Sequence, residues 1–219
     1  VQVPALFGAL PASTPPATLL GTSKLAGFVG TASAASRYAR TIPIPWRFVA
    51  PACAVALLAS LAGAATVTHV PPAVFRPLVP VILALVLAYT LARPDLGAQH
   101  APRALGRRQL AGAMLLVAAI GFYDGFFGPG TGSFLMLLFV RLCGFDFLHA
   151  AAAAQVVNVA TNLSALAWFG GHGHLLWALG LSMAVANVAG AQLGARLALR
   201  RGTVGIDALI EDLKATRWT

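Results

Sequence analysis

Charge is what this chain most conspicuously lacks. Only 10% of its 219 residues are Asp, Glu, Lys or Arg, where a soluble domain carries roughly 25%. With 58% hydrophobic residues and a mean hydropathy of +0.80, that deficit excludes an ordinary soluble fold and indicates an integral membrane protein. Acids are the scarcer sign, 6 against 15 basic residues, for a formal net charge of +9. A nucleic-acid binder would gather its bases on a solvated face. Here the arginines sit between apolar runs, as juxtamembrane arginines do, so no nucleic-acid partner is expected. Cysteine is limited to Cys53 and Cys143, both in or beside apolar runs, which reads as packing and not as a disulfide or metal pair. The chain opens at Val1 without an initiator Met, a basic leader or a full first span. It reads as a fragment or truncated frame rather than a processed signal peptide.

What is present is organised around Gly121-Phe-Tyr-Asp-Gly-Phe-Phe-Gly-Pro-Gly-Thr-Gly-Ser133, inside an apolar run from about Leu110 to Leu142. Five glycines and a proline in one stretch oppose a continuous helix, since each Gly costs roughly 1 kcal/mol and each Pro roughly 3 kcal/mol against Ala. Interrupted backbone at membrane depth is tolerated only where protein buries it or it lines a cavity. The stretch is therefore expected to be a substrate site.

Around it, apolar spans of about 20 residues suit a ~30 Å hydrocarbon core. Val1–Leu10 is a short apolar piece, broken at Pro11–Pro16. The spans are Ala17–Ser36, Phe48–Thr68, Pro77–Ala92, Leu110–Phe127, the short Ser133–Val140, His149–Phe169 and Leu175–Ala195. Gly202–Thr219 is too polar to cross and reads as a short amphipathic helix or a disordered end. Arginines in 37–47, 93–108 and 196–201 place those segments in the cytoplasm, which implies seven crossings, one of them short. The division expected is a first repeat over 1–92, a cytoplasmic loop over 93–108, a second repeat over 109–201 and a polar tail over 202–219. The repeat shows at an offset of 131: Ser33-Ala34 matches Ser164-Ala165, Trp46 matches Trp177, and Gly63-Ala64 matches Gly194-Ala195. Matched segments carry their arginines at opposite ends, the mark of inverted-topology repeats with a site near mid-membrane. The fold class is all-α, a polytopic bundle with broken helices.

Several residue sets could carry chemistry. Gly128, Gly130, Thr131, Gly132 and Ser133 precede a short helix, whose N-terminus offers free N–H groups to an anion; close helix packing through small residues is the other reading. Asp124 in an apolar span costs about 3 kcal/mol unless paired or protonated. Lys24, the only lysine within a span, is its natural partner, as a proton-coupling pair or as a structural ion pair; Lys24 could also snorkel to an interface. Gln155, Asn158, Thr161, Asn162 and Ser164 form a polar stripe at helical spacing, and Thr22, Ser23, Lys24 and Thr31 do the same in the partner span. Either stripe could coordinate an oxyanion or glue helices together. His172 and His174 lack a third ligand nearby, with His149 a whole span away (~30 Å by helix rise), so no metal or other cofactor is expected. An intramembrane aspartyl protease would need a second acid facing Asp124. The one candidate, Asp146, falls at a predicted cytoplasmic end outside any Gly-x-Gly-Asp context.

Two of these motifs resemble those of the TauE/SafE family of sulfite and organosulfur-anion exporters. Gly21-Thr-Ser-Lys-Leu-Ala-Gly-Phe-Val-Gly-Thr31 with Arg37-Tyr38 is similar to the first-repeat signature, and Gly121–Phe134 to the second. The resemblance spans roughly residues 1–201 and implies a bacterial inner-membrane carrier of two related halves. Against the family pattern, a first Gly-rich helix is absent, Gln155 replaces a frequent Lys, and the polar tail stands for the last span. The expected function is secondary transport of a small anion such as sulfite, a sulfonate or a related organic anion. Its partners would be the solute, the bilayer and possible further copies of the chain. The alternative is a non-transporting or degenerate subunit of the same family, which truncation at both ends would favour.

Overall fold

The computed structural model describes residues 2–11, 13–91 and 106–216. Among them there are eight helices and no strand. In chain order they are α1 (Gln2–Ala9), α2 (Pro16–Ala39), α3 (Trp46–Thr68), α4 (Pro72–Leu91), α5 (Arg107–Phe126), α6 (Thr131–Cys143), α7 (Phe147–Gly171) and α8 (Trp177–Thr216). Trp46–Thr68, Arg107–Phe126, Phe147–Gly171 and Trp177–Leu199 are long and apolar enough to cross a membrane. Pro72–Leu85 and Thr131–Cys143 are shorter apolar helices. α2 has the length, but Lys24 and its Thr, Ser and Gly residues lower its hydrophobicity. Large apolar side chains point outward from these helices, Leu115 at 72%, Val185 at 74% and Leu58 at 66% exposure. An aqueous surface would not favour so many, whereas lipid tails do.

The repeat offset is visible in the elements. Shifting by 131 carries α1 onto α6, α2 onto α7 and α3 onto α8, and Trp46 and Trp177 are each the first residue of their helix. The packing follows the same exchange. α2 packs along α8 as α7 packs along α3, and α2 and α7 pack against each other. Side chains stitch the two sets to backbone. Ser60 donates to Thr161 O and Ser164 to Leu57 O across α3 and α7; Asn187 donates to Ala26 O and Gln192 to Ser33 O across α8 and α2.

Several element boundaries correct the expected ones. α4 starts at Pro72, not Pro77, and holds Pro77 and Pro80 inside it. Proline is tolerated at a helix start, as at Pro72, whereas Pro77 and Pro80 lie inside the apolar helix, where each removes one N–H from the ladder. The basic loop shrinks to residues 40–45, because Arg37 lies in the last turn of α2 and Arg47 follows Trp46 in the first turn of α3. The tail is no separate element, since α8 continues unbroken to Thr216. The expected 93–108 loop falls outside the described residues except at its end, where α5 begins.

The Gly-rich stretch is also less broken than its composition suggests. Gly121 and Gly125 remain helical within α5, and the interruption is confined to residues 127–130. Those two glycines serve contact with α3. A Cβ on Gly125 would lie 1.9 Å from the backbone oxygen of Ser60, so only hydrogen fits between the two helices.

Candidate transport site

The interruption between α5 and α6 is built by short hydrogen bonds. The N–H groups of Phe127 and Gly128 both donate to Tyr123 O, at 2.8 and 3.1 Å. The Tyr123 hydroxyl reaches over to Pro129 O at 2.6 Å, and Thr131 Oγ1 donates to Gly128 O at 2.7 Å. Gly128 has φ +95 and Gly130 φ +87, a region nearly closed to residues with a Cβ. At Gly128 space is a second constraint, for a Cβ there would stand 3.0 Å from Lys24 Nζ and 3.4 Å from Asp124 Oδ1. The turn thus presses bare backbone against a pair of charges.

Those charges form a buried ion pair. Lys24 Nζ on α2 lies 2.7 Å from Asp124 Oδ2 on α5, with side-chain exposures of 7% and 2%. Lys24 does not snorkel outward. At that distance the ammonium is the partner of Oδ2, a contact of charge-assisted length. A buried pair of this kind is sensitive, because removing one partner strands the other charge in a medium of low dielectric.

Beside the pair is a cavity of about 340 Å³. Its polar lining comes from Ser23, Lys24 and Thr31 on α2, Asp124 on α5, Asn158 and Asn162 on α7, and Asn187 on α8. Gly27, Gly128 and Pro129 contribute backbone, and Val3, Leu20 and Phe127 the apolar wall. Asn158 and Asn162 are one helical turn apart, and Asn162 Nδ2 donates to Asn158 Oδ1 at 3.2 Å. Among the described residues, Lys24 and Asp124 are the only charged ones in the lining.

Of the residues singled out from sequence, Lys24, Ser23, Asp124, Gly128, Asn158 and Asn162 line this one cavity. Thr22 does not; its hydroxyl donates to Thr18 O and accepts from Leu176 N–H, tying α2 to the start of α8. Gly130, Thr131, Gly132 and Ser133 also lie outside the lining. Several N–H groups of that helix end are already spent on the turn, with Thr131 N–H on Gly128 O and those of Ser133 and Phe134 on Gly130 O. Gln155 lines a second cavity of about 280 Å³, with Thr31 and Asn187 shared between the two. Thr161 and Ser164 face α3 or bond within their own helix. Asp146 caps α7, accepting from the His149 N–H at 2.7 Å, and lines neither cavity. Asn187 is the residue that sequence reasoning missed. Its signal was available as one of two amides, with Gln192, in a mostly apolar span, where polar groups are costly and have a use.

The bundle and its solute-sized cavity with a buried ion pair in its wall define a multi-pass all-α membrane protein of transporter type. Comparison with known proteins narrows this: residues 1–210 match the family model described as Sulfite exporter TauE/SafE, and the chain belongs to that family. A protein of Sinorhizobium sp described as a probable membrane transporter is 36% identical over 212 residues, covering 96% of this chain and 78% of its own. A probable membrane transporter protein of Haemophilus influenzae is 34% identical over 96% of this chain and 80% of its own. The probable membrane transporter YfcA of Escherichia coli is 35% identical over 92% and 73%. No solved structure matches the chain. These relatives are all described as probable membrane transporters.

Proposed function

We propose that this protein is a secondary transporter of a small anion, such as sulfite, a sulfonate or a related organic anion, across a bacterial inner membrane. The observation that carries the reading is the cavity of about 340 Å³ holding a single buried cation, Lys24, beside amide and hydroxyl side chains. Ligand pockets of roughly 300–1,000 Å³ take small solutes, and an ammonium with neutral hydrogen-bond donors suits an oxyanion. The family description names sulfite, which makes sulfur oxyanions the first candidates. Lys24 attracts the anion, Ser23, Asn158 and Asn162 complete its shell, and the bare backbone at Gly128 lets it approach the turn.

Access alternates by rocking of the first repeat, residues 1–92, against the second, residues 109–201, with 93–108 as the cytoplasmic connection and seven crossings in all. The test is uptake of labelled sulfite, sulfoacetate and methanesulfonate into proteoliposomes, by the protein and by Lys24→Ala. Saturable uptake that Lys24→Ala abolishes is the expected result. Equal rates in the two would remove Lys24 from the mechanism, and a folded protein that moves none of the three would be the non-transporting subunit.

A further inference from the structure

We infer that the Lys24–Asp124 cavity loads one singly charged anion together with one proton, so that each transport cycle moves no net charge. This rests on the transporter reading above and adds to it a charge rule. Among the described residues, both cavities together are lined by one cation and one acid, Lys24 and Asp124. With their pair closed, the site is neutral. An anion seated on Lys24 while Asp124 stays ionised would leave one uncompensated negative charge among apolar walls, which burial penalises steeply. Only a second cation or a proton offsets it.

The second cation is missing from the one place the repeat would put it. Gln155 stands 131 positions after Lys24. Its side chain is neutral and lines the adjoining cavity, and its Oε1 is buried with no hydrogen-bond partner among the described residues. Among the described residues that cavity is lined by no charged side chain, and its one titratable group is the phenol of Tyr38. The proton remains, and Asp124 is where it fits. Its Oδ2 lies 2.7 Å from Lys24 Nζ, so a proton placed there releases the ammonium for the anion. The other titratable group beside it is Tyr123, whose hydroxyl is engaged by Pro129 O. The walls from α1, α7 and α8 are Val3, Asn158, Asn162 and Asn187. α3 presents Ala56, Ser60 and Ala64 to α5, none of them titratable.

The cycle balances as follows. A proton from water on one side forms an O–H bond to the Asp124 carboxylate, the ion pair opens, and Nζ takes the anion. On the other side the anion leaves Nζ, the O–H bond breaks, the proton passes to water, and the carboxylate returns to Lys24. One anion and one proton travel in the same direction.

Proteoliposomes separate this from its rivals, with methanesulfonate as a fixed monoanion and sulfoacetate as a dianion at neutral pH. A one-unit pH gradient is expected to accumulate methanesulfonate roughly tenfold at equilibrium, and a valinomycin-clamped potassium potential is expected to leave its uptake unchanged. In Asp124→Asn the pH gradient no longer drives accumulation, and residual uptake follows the potential; a melting curve in detergent checks that the variant is folded. The wild-type potential measurement needs no variant at all. Uptake driven by the potential in the wild type, or sulfoacetate preferred over methanesulfonate, overturns the inference while leaving anion transport standing. Failure of methanesulfonate, sulfoacetate and sulfite alike overturns the transporter reading and this inference with it.

Discussion

Thr31 and Asn162 stand 131 positions apart in the chain and meet in the fold, with Asn162 Nδ2 3.5 Å from Thr31 Oγ1. Residues that the repeat equates can touch each other only where the two halves cross. The α2–α7 contact is that crossing, and Thr31 shares the wall of both cavities. The site therefore sits on the seam between the repeats, where relative motion of the halves would be felt first.

That seam can be tied. In a chain carrying Cys53→Ala and Cys143→Ala, the pair Thr31→Cys with Asn162→Cys should be joined by a short thiol-to-thiol linker. With a methanethiosulfonate linker, the transport left to the unlinked variant, lowered by loss of Asn162 from the shell, should stop on linking and return on reduction if the halves rock. Uptake that survives complete linking, scored by mass, would mean that α2 and α7 move as one body.

Removing Lys24 should destabilise the protein as well as silence it. Lys24→Ala strands a buried carboxylate, a change worth about 3–5 kcal/mol when the acid stays ionised. The double variant Lys24→Met with Asp124→Leu should recover most of that stability, because two apolar groups replace the pair, yet still not transport. Thermal unfolding in detergent beside uptake measures both; a double variant no more stable than Lys24→Ala would argue that the pair is not the source of the loss.

Gly125→Ala should cost about 1–3 kcal/mol by overpacking, since its Cβ would lie 1.9 Å from Ser60 O. Gly190→Ala, with nothing within 4 Å of its Cβ, should be neutral or stabilising by about 1 kcal/mol through helix propensity. Comparison of the two melting temperatures decides whether the glycines of α5 serve packing.

Gln155→Lys should widen the charge range of the solute. It restores a second cation beside Thr31 and Asn187, so sulfoacetate uptake should rise relative to methanesulfonate. An unchanged ratio in a folded variant would detach Gln155 from specificity.

His174 predicts a local pH effect at the link between α7 and α8. Burial, and then the neighbouring His172, hold its imidazole below the usual range, and its Nδ1 lies 3.3 Å from Thr18 Oγ1. A base whose folded value is lowered resists protonation in the fold. Its contribution is therefore present above the ordinary histidine range and is lost as pH falls through it, near 6.5. Amide exchange at residues 172–176 should quicken on acidification across that range, and His174→Gln should flatten the response.

The sequence by itself determined the membrane setting and the helical class, and it pointed to an offset of 131 and to Lys24 and Asp124 as candidate partners. Each follows from composition, periodicity or the high cost of a charge in an apolar span, all of which are local or additive. It also marked Asn158 and Asn162, through helical spacing. Tertiary structure alone decided which glycines break a helix and which admit a neighbour: Gly128 turns the chain, while Gly125 lets α3 approach. It also decided that Thr22 and Thr131 serve backbone, that Gln155 looks into a second cavity, and that Asn187 joins the first. A side chain's composition is written in the chain, but the cavity it faces depends on the rotation and crossing of helices far apart in sequence, set by packing that no single segment contains.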